Sequence, residues 1–131
     1  TSIADTTRHD NFPDMARALL AAAPPGQFSL AGLSMGGYVA LEVVRQAPER
    51  VARLALLDTN AHADTPEKRQ ARLDFIALAE RGRFLGVTDA LLPLLVHPER
   101  LGDADLVGII KAMAKRVGVA AFIRQERAIM E

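Results

Sequence analysis

The chain has 131 residues, of which 50% are hydrophobic and 24% charged, a composition typical of one folded globular domain. Sixteen Lys and Arg residues offset sixteen Asp and Glu residues, so the formal net charge of zero disfavours binding to nucleic acid or to an anionic membrane surface. The absence of cysteine excludes a disulfide framework, a thiol nucleophile and a zinc site with Cys ligands.

The first part of the chain alternates helical and extended patterns. Apolar residues at helical spacing predict a helix over residues 10–23. The short apolar run 28–33 predicts a strand, and a second helical pattern runs from Gly37 to Pro48. Residues 51–58 are another nearly continuous apolar run, typical of a strand buried on both faces of a parallel sheet. This order predicts a right-handed parallel β-α-β unit.

The pattern changes after Asp58, and the rest of the chain is predicted to be helical. A charged amphipathic helix comes first, a Leu-rich piece follows over residues 88–96, and Gly118 separates two further helical patterns. We therefore predict an α/β protein in two parts. Residues 1–60 form a partial parallel β-α-β core, and residues 61–131 form an all-helical region.

A short motif joins the first predicted strand to the helix that follows it. Residues Gly32-Leu33-Ser34-Met35-Gly36 fit the pattern G-x-S-x-G, and a turn from strand to helix is the context that this pattern requires. A turn this tight strains the backbone of Ser34 and brings the residues two before and two after it close together. Both must therefore be small, and both are glycine. Gly37 lets the helix approach the strand closely. The Met35 N–H, at the helix N-terminus, becomes a donor to an oxyanion.

The residues around this turn resemble the α/β-hydrolase fold superfamily. The resemblance rests on residues 28–42, which contain the nucleophile elbow at residues 32–37, on Gln46-Ala-Pro-Glu-Arg-Val and on Leu54-Ala-Leu-Leu-Asp, and it covers residues 10–58. It implies that Ser34 is a nucleophile that forms an acyl-enzyme with a small, mainly apolar ester, lactone or related carbonyl compound, with no cofactor. Residues 61–131 correspond to the helical cap of the family.

The remaining members of the family's catalytic triad are not evident in the sequence. The family order is Ser, then acid, then His, and no predicted strand follows Asp58 to carry the acid. Asp58 has three interpretations: a cap after its strand, a triad acid in a less common position, or a ribose ligand. His62 is a weak candidate for the general base, while His9 and His97 are expected in loops.

Two alternative functions follow from the same residues. Without an acid and a His, the chain is a non-catalytic fragment or a pseudo-enzyme of the same fold. A dinucleotide-binding module would use G-x-G-x-x-G, which matches at Gly32 and Gly37, but Ser34 replaces the middle glycine that lets pyrophosphate approach. No pair of histidines has the spacing of a metal site, so we expect no metal.

The predicted sheet is too small to stand alone in water. Two apolar parallel strands would expose both edges, so we expect a homo-oligomer or completion by chain segments outside these residues. The only partner expected otherwise is a small-molecule substrate. No stretch approaches the roughly 20 apolar residues of a membrane span, and residues 1–5 do not resemble a secretory signal, so we expect a cytoplasmic protein.

Overall fold

The computed structural model describes residues 1–83 and 91–131. The predicted Leu-rich piece at 88–96 therefore lies partly outside the described residues. The helices and strands, in chain order, are α1 Phe12–Ala22, β1 Phe28–Leu33, α2 Met35–Gln46, β2 Val51–Leu57, α3 Pro66–Leu78, α4 Leu92–Leu95 and α5 Ala104–Ile129. Single turns of 3-10 helix lie at Pro48–Arg50 and Pro98–Arg100, and a π-helical turn at Ala79–Arg83 follows α3.

Local sequence signals explain the bounds of α1. The Asn11 side chain accepts a hydrogen bond from the Asp14 N–H at 2.8 Å, which caps the helix, and Pro13 occupies the first turn, where its missing N–H costs nothing. The helix ends before two prolines, and Gly26 takes a φ of 79° in the turn that leads into β1. This turn is held by Arg50, whose Nε donates to the Gly26 carbonyl at 2.7 Å.

The two strands form a parallel pair, and α2 makes the crossover between them, which confirms the predicted β-α-β unit. The register pairs Gly32 with Leu56 and Leu33 with Leu57, so both strands end beside Ser34. Helix α1 packs on α2 through a small cluster in which Met15, Val39 and Ala128 are buried. Ala128 belongs to α5, so the end of the helical part packs against the α/β part.

Strand β2 is exposed, contrary to the prediction that it is buried on both faces. Leu54, Leu56 and Leu57 are 40%, 45% and 50% exposed. In the part of the chain that the structure describes, the sheet consists of β1 and β2 alone. An apolar strand is buried on both faces only when neighbouring layers cover it, and here the described residues leave most of β2 uncovered.

The helical part has one clear break. Gly118 lies within α5 with φ 77° and ψ 166°, values outside the helical region, so it separates two helical stretches as predicted. Asp103 caps the first stretch, because its side chain accepts a hydrogen bond from the Leu106 N–H at 3.0 Å. The last turns of α5 then lie beside α3 and close to the carboxyl ends of the two strands.

Candidate functional site

Ser34 has the strained backbone that the motif predicts. Its φ is 52° and its ψ is −120°, a conformation that costs a non-glycine residue on the order of 1–3 kcal/mol. Such a conformation persists only where its surroundings hold it. Here the Ser34 N–H donates to the Leu57 carbonyl at 3.0 Å, and the Ser34 carbonyl accepts from the Gly37 N–H at 2.9 Å. The end of β2 and the first turn of α2 therefore fix the turn from both sides.

The two glycines that flank Ser34 differ in how strictly they are required. A Cβ on Gly32 would lie 2.3 Å from the Gly36 carbonyl oxygen and 2.8 Å from the Gly37 Cα, distances that no side chain tolerates against a backbone. A Cβ on Gly36 would meet no described atom within 4 Å. The steric requirement predicted for both positions therefore applies to Gly32, while Gly36 contributes its backbone to the contact.

Gly37 is required for a different reason. A Cβ at this position would lie 2.3 Å from Oγ1 and 2.5 Å from Cγ2 of Thr59, the second residue after β2. The Thr59 hydroxyl donates to the Ser34 carbonyl at 2.8 Å. Gly37 therefore lets α2 approach the Thr59 side chain, which lies just beyond the end of β2.

Helix α2 begins at Met35, directly after Ser34. The first N–H groups of a helix have no acceptor within the helix, and the helix dipole adds partial positive charge at this end. The Ser34 side chain makes no capping hydrogen bond to α2, so its hydroxyl is not engaged by the helix. The Met35 N–H, which directly follows Ser34 in the chain, is one of the N–H groups at this end of α2.

Ser34 opens into a cleft of about 560 Å³ between the α/β part and the helical part. Apolar and polar side chains share its walls. The lining residues are Ser34, Met35, Tyr38, Asp58, Thr59, Asn60, Asp64, Lys68, Ala71, Arg72, Phe75, Gln125, Glu126 and Ile129. The apolar side chains that the helical part contributes to the cleft are those of Ala71, Phe75 and Ile129.

Asp58 lies in the cleft with Ser34, at the end of β2. Its φ is 43°, a left-handed conformation that Asp tolerates better than most residues. Its carboxylate is exposed and makes no hydrogen bond or ion pair with any described residue, so it does not act as a cap there. The position leaves Asp58 available to a partner in the cleft.

The three histidines lie elsewhere in the described part of the chain. None of them lines the cleft. The His62 N–H donates to the Asn60 side chain at 2.9 Å in an exposed turn, and His97 accepts from the Glu99 N–H at 3.4 Å next to a 3-10 turn. No histidine of residues 1–83 and 91–131 therefore lies in the cleft with Ser34, and these residues contain no group of three metal-binding side chains either.

A charged network forms part of the cleft wall. Arg72 of α3 donates from Nε to the Asp64 carboxylate and from its guanidinium to Glu126 of α5 at 2.8 Å. The three side chains are 25%, 9% and 13% exposed. Burial acts to lower the pKa of Arg72, but the hydrogen bonds to Asp64 and Glu126 outweigh it and the pKa is raised. The network joins α3 to α5 at the wall of the cleft.

Sequence patterns gave no signal for two of these features. Glu126 lies far along the chain from Arg72, and only the return of α5 beside α3 brings them together. Thr59 follows a strand, as many turn residues do, and nothing in its type predicts a bond to the Ser34 carbonyl. Both are long-range contacts that the fold creates.

Comparison with known proteins agrees with this geometry. A family model described as the alpha/beta hydrolase fold matches residues 1–88 of the chain. The chain belongs to the α/β-hydrolase fold family. The match includes the whole elbow and continues past β2 into the helical part.

A solved structure shows the same fold over a greater length. It is a thermophilic esterase from Thermogutta terrifontis, described with malate bound, and this α/β-hydrolase chain is 24% identical to it with a TM-score of 0.66. The superposition covers 100% of the present chain and 49% of the esterase, so the chain spans about half of that protein's length. A comparison with curated proteins finds no significant match. Among the described residues, no helix has the length and apolar character needed to cross a membrane.

Proposed function

We propose that the protein containing this chain is a serine hydrolase of a small, mainly apolar ester, lactone or related carbonyl compound. The observation that carries this proposal is the Ser34 turn: a strained serine at the N-terminus of α2, facing a cleft of about 560 Å³. Family membership supports the same reaction class. The fold alone hosts many functions, so the site is what argues for hydrolysis.

The proposed reaction proceeds through an acyl-enzyme. The Ser34 Oγ attacks the carbonyl carbon of the substrate while its proton passes to a general base. The negative charge on the former carbonyl oxygen is stabilised by the Met35 N–H and the positive end of α2. The alcohol leaves with a proton from the base, and a water molecule then cleaves the ester on Ser34 to release the acid. The apolar part of the substrate packs against Met35, Phe75 and Ile129.

The general base is proposed to come from outside the described residues. None of His9, His62 and His97 lines the cleft, while Asp58 does. We therefore expect the 131-residue chain alone to be inactive. Three carboxylates line the cleft, and Asp64 and Glu126 are paired with Arg72, so Asp58 is proposed to orient a histidine that enters the cleft. Asp58→Asn in the full-length enzyme is expected to lower kcat, and an unchanged kcat would show that Asp58 is not that acid.

Labelling with a fluorophosphonate tests the nucleophile directly. The full-length protein should be labelled on Ser34, and Ser34→Ala should abolish both labelling and ester turnover. Ser29→Ala, which changes an exposed serine on β1, is the matched control and should be labelled as the unchanged protein is. Unchanged turnover by the Ser34→Ala variant would show that the assignment is wrong.

The absence of a histidine from the described cleft also favours a second candidate, a non-catalytic member of the same fold. Turnover of a p-nitrophenyl ester separates the two. The full-length protein should hydrolyse the ester in a Ser34-dependent way if it is an enzyme. No turnover and no labelling of the full-length protein would support the non-catalytic alternative.

We also propose that the exposed sheet is covered in the native protein. Leu33 is 65% exposed and Leu56 is 45% exposed, an arrangement that favours association. The cover is either a further part of the protein or a second copy in a homo-oligomer. Light scattering distinguishes these: the 131-residue chain should self-associate in both cases, and the full-length protein only in the second. A monodisperse monomer of the 131-residue chain would contradict both.

A further inference from the structure

Thr59 touches the Ser34 turn at two points. Its hydroxyl donates to the Ser34 carbonyl at 2.8 Å, and its side chain packs so closely on Gly37 that a Cβ there would lie 2.3 Å from Oγ1. Leu57, two residues earlier, accepts from the Ser34 N–H at 3.0 Å. Both polar backbone groups of Ser34 are therefore held by residues at the end of β2.

The carbonyl that Thr59 holds belongs to the peptide unit that joins Ser34 to Met35. A trans peptide is planar, and its carbonyl and N–H point in opposite directions. Any rotation of the Ser34 carbonyl therefore rotates the Met35 N–H by the same amount. A hydrogen bond to the carbonyl also polarises the peptide, which makes its N–H a stronger donor.

We propose that Thr59 is a positioning residue that aims the Met35 N–H at the oxyanion through the Ser34–Met35 peptide. This inference rests on the proposed hydrolase function of Ser34. The Gly37 N–H also donates to the Ser34 carbonyl, at 2.9 Å, but it lies within the same turn and moves with it. Thr59 is anchored outside the turn and so fixes the peptide relative to β2. Its effect is on the transition state, because charge on the substrate oxygen develops only there.

The test compares Thr59→Val with Thr59→Ser in the full-length protein. Valine keeps the shape that packs on Gly37 and removes the hydroxyl, whereas serine keeps the hydroxyl and removes a methyl group. Thr59→Val should lower kcat about tenfold with KM within about twofold, because one oxyanion donor is misaimed rather than lost. Affinity for a trifluoromethyl ketone, which forms an oxyanion on Ser34, should fall by about the same factor. Thr59→Ser should restore both.

Three results would overturn the proposal. If Thr59→Val raises KM and leaves kcat unchanged, the hydroxyl contacts substrate instead. If Thr59→Ser is as impaired as Thr59→Val, packing of the methyl group on Gly37 is what matters. If neither variant changes kcat or inhibitor affinity, the hydrogen bond has no role in positioning.

A spectroscopic measurement separates this inference from the proposed function. The carbonyl carbon shift of Ser34 and the amide shift of Met35, measured by NMR in the full-length protein, should change in Thr59→Val and stay near the original values in Thr59→Ser. These shift changes are expected even if the unsubstituted protein has no hydrolase activity. In that case the proposed function would be wrong, while the contact of Thr59 with the Ser34–Met35 peptide would be confirmed. Unchanged shifts in Thr59→Val would overturn the contact itself.

Discussion

The two parts of this chain differ in how their side chains are packed. In residues 1–60, the buried side chains cluster on α1 and α2, and the Ser34 turn is enclosed by backbone contacts from β1, β2 and α2. In residues 61–131, buried positions are scattered along the chain, and large apolar side chains face outward here as they do on the two strands. Those of the helical part are Leu73, Phe75, Leu78, Leu94, Leu95, Ile109, Met113, Val117 and Val119. The Ser34 turn therefore depends on contacts within residues 1–60, while the helical part contributes charged side chains to the wall of the cleft.

The largest expected effect lies within the turn itself. Gly32→Ala places a Cβ 2.3 Å from the Gly36 carbonyl oxygen, so the turn cannot close and we expect a loss of about 4 kcal/mol in the free energy of unfolding. Gly36→Ala is the matched control in the same motif, because its Cβ would meet no described atom within 4 Å. It should change stability by less than about 1 kcal/mol. Urea unfolding of the full-length variants measures both, and equal losses would contradict the asymmetry.

The same substitution in the two parts gives the next comparison. Met15 is 1% exposed in the cluster where α1 meets α2 and α5, so Met15→Ala should destabilise the protein by about 3 kcal/mol. Met113 on α5 is 53% exposed, and Met113→Ala should cost less than about 0.5 kcal/mol. Thermal and urea unfolding would show the difference. A large loss for Met113→Ala would mean that α5 is packed against something beyond the described residues.

The features that the sequence predicts are those that depend on residues close together in the chain. The Ser34 turn, the β-α-β unit and the break at Gly118 depend on residues close in sequence, so spacing and residue type predict them. The exposure of Leu56 could not be predicted, because burial of a strand depends on which layers lie beside it. The contacts of Thr59 with Ser34, and of Arg72 with Glu126, join distant segments, and no local pattern indicates them.

The link between α3 and α5 is expected to have a smaller effect. Arg72→Gln leaves the largely buried carboxylates of Asp64 and Glu126 without their cation, which should cost about 1–2 kcal/mol, since the network is partly open to water. The control is the ion pair of Arg127 with Glu80, which lies at 3.2 Å and whose side chains are about half exposed. Arg127→Gln should change stability by less than about 0.5 kcal/mol. If both variants lose the same amount, the cleft network is no stronger than a surface pair.

The smallest expected effect concerns the first residues of the chain, which contact α5 of the helical part. Arg124 of α5 donates to the Thr7 carbonyl at 2.8 Å, so the turn at Asp5–Thr7 presents its backbone to the helical part. Hydrogen bonds from the Thr7 hydroxyl, then from the Thr7 N–H and from Arg8, lower the pKa of Asp5 from 3.8 to about 2. The turn is therefore stabilised above pH 3.8 and loses that stabilisation as the pH falls towards 2.

Thr7→Val tests this turn, because it removes the hydroxyl and keeps the N–H. The pKa of Asp5, followed by NMR titration of its carboxyl carbon, should then rise part of the way from about 2 towards 3.8. Thr6→Val is the control, since the Thr6 hydroxyl makes no hydrogen bond with a described residue. An unchanged pKa in Thr7→Val would mean that the Thr7 N–H and Arg8 hold the carboxylate without the hydroxyl. The turn would then depend on the Thr7 N–H and the Arg8 side chain rather than on the side chain of Thr7.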